Sequence, residues 1–96
     1  AAVVAESTPV DGRAAGDMAI KINRTTTDAT HYPLVLVSYL MGCNEYAKAG
    51  VAENVKAYFA YILSPEGQAT AASAAGSAPL ATKMADEALA VVNAIK

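Results

Sequence analysis

The chain has 96 residues and a mass of 9.8 kDa, room for one small domain that buries about 60–65% of its unfolded surface, which excludes a large enzyme core. Hydrophobic residues make up 54% and charged residues 17%, with no Trp and one Phe; the apolar share is mostly alanine, whose small side chains give a thin core at about 25 cal/mol per Å². The formal net charge of -2, with the seven Lys and Arg residues scattered, excludes a nucleic-acid partner, because neutralising backbone phosphates takes a clustered basic surface.

In chain order, residues 1–10 run from Ala and Val into Glu6-Ser7-Thr8-Pro9, the pattern of a helix tail followed by a breaker, and Asp11-Gly12 marks a turn. The opening has no initiator Met and no basic segment ahead of an apolar one, so a processed or excerpted chain is expected. Met18, Ile20 and Ile22 alternate with Ala19 and Lys21, the period-2 pattern of a half-buried strand. Residues 23–31 are polar and rich in breakers, which predicts a connection suited to a domain crossing.

Residues 33–41 are almost continuously apolar and β-branched, which predicts a second strand covered on both faces. One neighbour over residues 18–22 cannot satisfy both its edges, so further strands are expected from outside these residues or from oligomerisation. The whole apolar stretch, residues 33–43, includes Ser38 and Gly42 and falls short of the roughly 20 residues that span a bilayer.

After a loop over residues 42–50, Val55, Tyr58, Phe59, Ile62 and Leu63 form a helical stripe within residues 51–63. Ser64, Pro65 and Glu66 then have the form of N-cap, first helical position and acidic first turn of a new helix over residues 65–75, which Gly76 ends. A last helix is predicted over residues 82–95, with Met84, Ala88, Val91, Val92 and Ile95 on one side. The predicted fold class is therefore α/β, two strands followed by three helices, incomplete without further strands.

Chemistry-bearing residues are sparse. The one histidine, His31, and the one cysteine, Cys43, belong to no nucleophile motif, and His31, Cys43 and Glu45 lack the paired spacings that hold zinc. Asp86 and Glu87 are adjacent on a helix and so diverge. No Gly-rich phosphate loop is present. Two weaker anion sites remain, Arg24 with Thr25, Thr26 and Thr27, and the helix start at Ser64. Tyr39, Tyr46, Tyr58 and Tyr61 suit a core edge or an interface. Cys43 is either a small buried hydrophobe or one half of a disulfide to residues outside the segment, the latter requiring an oxidising compartment. No enzyme activity, metal or cofactor is expected.

Three blocks carry a resemblance: residues 32–39, YPLVLVSY; residues 55–68, VKAYFAYILSPEGQ; and residues 74–80, AAGSAPL. Their order and spacing resemble the C-terminal part of the phosphate-binding proteins that serve phosphate ABC transporters, over residues 23–95. The resemblance implies part of a type II periplasmic-binding-protein fold, two α/β lobes that close by a hinge on inorganic phosphate. Residues 1–31 would end the second lobe and supply the crossing connection, and residues 32–96 would complete the first lobe. It further implies an extracytoplasmic location, an ABC transporter permease as partner, and the remainder of the binding protein or a partner chain to complete the sheet. The family's phosphate ligands include an Arg followed by a Ser-Gly-Thr type motif. Arg24-Thr25-Thr26-Thr27 does not match it, so no phosphate-binding residue is assigned here, and Cys43 does not stand where the family's lipid-anchoring cysteine does. The alternative is an autonomous small interaction or structural protein that completes its sheet with a partner chain or by self-association.

Overall fold

The computed structural model describes residues 2–96. It is a small mixed α/β chain with four helices and one two-stranded antiparallel sheet among the described residues, divided into two compact units, Ala1–Ser38 and Tyr39–Lys96.

In the first unit, α1 (Ala2–Ala5) is one turn that buries Val3. Ser7 holds the exit of that turn: its hydroxyl donates to the Val3 carbonyl at 2.7 Å and accepts from the Asn23 N–H at 3.2 Å. Between those anchors β1 (Thr8–Pro9) pairs with β2 (Ile20–Lys21), Thr8 opposite Lys21 and Pro9 opposite Ile20. Sequence pattern predicts a strand over residues 18–22, and the ladder is shorter. The Val10 N–H still reaches the Ala19 carbonyl at 2.9 Å, but the return bond is missing, because the Ala19 N–H is taken by the Asp17 carboxylate at 2.9 Å. Glu6-Ser7-Thr8-Pro9 has the pattern of a helix end followed by a breaker, yet Thr8–Pro9 is the partner strand.

The expected strand over residues 33–41 is corrected: no residue of that run joins a sheet. The two sheet strands both precede it, and nothing among the described residues offers it a ladder. Its burial nonetheless alternates, with Pro33, Val35 and Val37 half-buried and Tyr32, Leu34, Leu36 and Ser38 exposed. That is the period of an extended chain.

The second unit contains the three predicted helices. α2 (Val51–Leu63) starts after Gly50, whose φ of 81° lies in the left-handed region. α3 (Pro65–Ala75) is capped as expected: the Ser64 hydroxyl accepts from the Gly67 N–H at 3.1 Å, and Gly76 closes the helix at φ 67° with its N–H on the Ala72 carbonyl. α4 (Thr82–Asn93) is somewhat shorter than predicted, because Ile95 leaves the helix so that Lys96 can reach residues 44 and 46. The Lys96 N–H donates to the Asn44 carbonyl at 2.9 Å and its carbonyl accepts from the Tyr46 N–H at 2.7 Å.

α2 packs against both α3 and α4. Val55, Phe59, Ile62 and Leu63 turn inward as their spacing predicts, whereas Tyr58 is 62% exposed and leaves the stripe. The α4 face Met84, Ala88, Val91, Val92 and Ile95 is at least half-buried throughout. The turn between α2 and α3 is tight enough that a Cβ at Gly67 would overlap the Tyr61 carbonyl oxygen. Buried apolar side chains are few among the described residues, namely Val3, Val92 and Ile95, each contributing at most about 1.5–3 kcal/mol.

Candidate functional site

The polar residues singled out from sequence are mostly engaged in holding the chain. Arg24 does not face an open anion site. Its Nη1 donates to the Pro33 carbonyl at 2.8 Å and its Nη2 to the Val35 carbonyl at 3.3 Å. The neighbouring hydroxyls serve local turns: Thr25 Oγ1 donates to Asn23 Oδ1, and Thr26 Oγ1 accepts from the Asp28 N–H. At the other candidate anion site, Ser64 Oγ accepts from Gly67 and donates to the Tyr61 carbonyl at 2.6 Å, so the helix start is closed by its own cap.

His31 lies between two carboxylates, an arrangement that sequence did not indicate because Glu6 is far away in the chain. Its Nδ1 stands 3.0 Å from Glu6 Oε1 and its Nε2 3.7 Å from Asp28 Oδ2. The Nδ1 contact lacks the alignment of a hydrogen bond. Asp28 also accepts from the N–H and hydroxyl of Thr30 at 2.8 and 2.7 Å. These two hydrogen bonds, hydroxyl first, with a smaller contribution from His31, hold its carboxyl below the ordinary carboxylate range. The cluster fastens the 24–31 connection to the end of α1.

Cys43 is an exposed free thiol, which corrects the expectation of a buried hydrophobe. Its backbone N–H donates to Tyr46 Oη at 2.9 Å. Cys43 and His31 belong to different units, and no group of three metal-ligating side chains occurs among the described residues. Asp86 and Glu87 are both exposed on α4; Glu87 reaches Lys83 at 3.9 Å across a solvated surface, a pair contributing little to stability. A shallow cleft beside the hairpin has Ile20 and Ile22 with Glu6, Lys21, Asn23 and Arg24 along its walls. Glu6 and Arg24 already have partners there.

The feature that remains is residues 32–41. Leu34 is 72% exposed, and Leu36 and Met41 are each 92% exposed, with Tyr32, Tyr39 and Leu40 also open to solvent. Exposed apolar side chains in such number are the exception on a folded chain. Their chemistry is that of pairing and packing. The run bears no charged side chain, and it offers main-chain donors and acceptors to another extended chain.

Comparison with protein-family models, with curated proteins and with solved structures finds no match to this chain.

Proposed function

We propose that this chain is the C-terminal segment of an extracytoplasmic phosphate-binding protein of a phosphate ABC transporter, and that it contributes scaffold rather than ligand contacts. The observation carrying this proposal is the exposed apolar side chains of Tyr32, Leu34, Leu36 and Tyr39, which lie in the first block, residues 32–39, of the three-block resemblance. In a complete binding protein, other strands flank this run, and the helices after Val51 cover the lobe it enters. The complete protein binds inorganic phosphate and delivers it to a permease; it is no enzyme. Arg24, Ser64 and the Thr25 and Thr26 hydroxyls support the scaffold role, since each is engaged within the chain. Cys43, exposed, is available for a disulfide to residues outside the segment.

Intact mass under denaturing, non-reducing conditions, followed by calorimetric titration with inorganic phosphate, tests the proposal. A species several times heavier than 9.8 kDa that binds phosphate is the expected result. A single species at that mass with no phosphate response overturns it.

A second reading is favoured by the unpaired main chain of residues 34, 36 and 38: an autonomous interaction or structural protein that completes its sheet with a partner chain or by self-association. It predicts folding that depends on concentration.

A further inference from the structure

The apolar run has two unlike edges. In an extended chain, the N–H and C=O of residues i, i+2 and i+4 point to one side and those of the intervening residues to the other. A single guanidinium, that of Arg24, reaches the carbonyls of both Pro33 and Val35, so these two carbonyls share an edge. Pro33 has no N–H on that edge. Proline and a charged side chain are two of the devices that keep a strand edge from pairing, and both stand on the 33/35 side.

The opposite edge carries neither. The N–H and C=O groups of Leu34, Leu36 and Ser38 have no hydrogen-bond partner among the described residues. No charge lies between Tyr32 and Gly42, so two such edges meet without like-charge repulsion. The side chains of Leu34 and Leu36 share one face of the extended run and are exposed there.

We infer that the 34/36/38 edge pairs with the same edge of a second copy of this chain, antiparallel and about a two-fold axis. The inference rests on the self-association reading and not on phosphate binding. Centred on Leu36, the pairing sets Leu36 against Leu36 and Leu34 against Ser38, and each free N–H of one copy meets a free carbonyl of the other. The interface is isologous, so the same patch serves both copies, and Arg24 keeps the sealed edge from continuing the sheet.

The test combines sedimentation velocity over a concentration series with residue-resolved amide hydrogen exchange on the same samples. The expected result is a monomer–dimer equilibrium in which the amides of residues 34, 36 and 38 gain protection with concentration while those of 35 and 37 do not. Leu36→Pro removes an N–H from the open edge and abolishes the dimer. Val35→Pro removes one from the sealed edge and retains it. Both substitutions favour an extended residue before them, and far-UV circular dichroism of α2, α3 and α4 reports on folding. A monomer at every concentration overturns the inference, as does a dimer that Leu36→Pro leaves intact. Protection of 34, 36 and 38 that is unchanged by dilution also overturns it, since the strand is then paired within its own molecule. Intact mass and phosphate calorimetry read the transporter proposal separately, so a monomer at every concentration overturns the pairing and leaves that proposal to its own test.

Discussion

The side-chain amide of Gln68 accepts the Leu80 N–H at 2.9 Å while its Nε2 donates to the Ile62 carbonyl at 2.8 Å. One side chain on α3 thereby ties the end of α2 to the connection that leads into α4. The blocks SPEGQ and GSAPL, separate in sequence, meet through this bond.

Gln68→Ala leaves a half-buried donor and a half-buried acceptor without their partners, and a loss of about 1–3 kcal/mol is expected in urea denaturation. Gln68→Glu keeps an acceptor for Leu80 but, when ionised, has no proton for Ile62. Its deficit at neutral pH is expected to exceed its deficit in acid, where a protonated carboxyl donates again.

The α2–α3 turn is expected to respond to two small changes. Gly67→Ala drives a methyl into the Tyr61 carbonyl, and backbone rather than a side-chain tip must move, at a cost of about 1–3 kcal/mol. Ser64→Ala removes the cap on the Gly67 N–H and the hydroxyl bond to Tyr61, worth about 0.5–2 kcal/mol. Thermal denaturation of the two variants measures both.

Acidification is expected to weaken the first unit through Asp17 and Asp28. Asp17 is held below the ordinary carboxylate value first by the Ala19 N–H and then by Arg13, whose Nε bonds it at 2.8 Å. Asp28 is held down by Thr30 and, to a smaller degree, His31. A depressed folded-state value means that stability is present above the unfolded value of about 3.9 and disappears as pH falls through the folded one. Carbon-detected NMR titration should place both midpoints below the unfolded value, and Asp17→Asn and Asp28→Asn should each flatten this acid dependence. A midpoint at the unfolded value for either residue removes its contribution.

Arg24→Ala frees the Pro33 and Val35 carbonyls, and residues 33–37 are expected to become more mobile by NMR relaxation. Arg24→Lys should not restore them, since an ammonium lacks the planar fork that spans two carbonyls. In a complete phosphate-binding protein the Arg24→Ala variant should keep its phosphate affinity; a large loss would put Arg24 at the ligand.

Elements fixed by local chemistry were legible in the sequence. Ser64-Pro65 and Gly76 bound α3 as their capping preferences dictate, and the α4 face from Met84 to Ile95 follows a 3.6-residue period. Elements fixed by a partner were not. Thr8–Pro9 has no strand pattern of its own and becomes a strand through Ile20–Lys21; residues 33–41 have the composition of a strand and join no sheet among the described residues. The same distinction governs the candidate site. The hydroxyls and charge at residues 24–27 could be read as an anion site, but which acceptors Arg24 reaches is decided by tertiary folding, as is the meeting of His31 with Glu6.

The paired bonds between Lys96 and residues 44 and 46 have the alternation of a parallel β-bridge, and they bring the approach to α2 and the exit from α4 to one place. A three-helix unit whose entrance and exit adjoin is transplantable: spliced into a surface loop of an unrelated host, it need not pry the loop's two stems apart. Joining residue 96 to residue 44 through a short linker, with new termini opened at the Ser77-Ala78 connection, should likewise preserve the packing of α2 against α4.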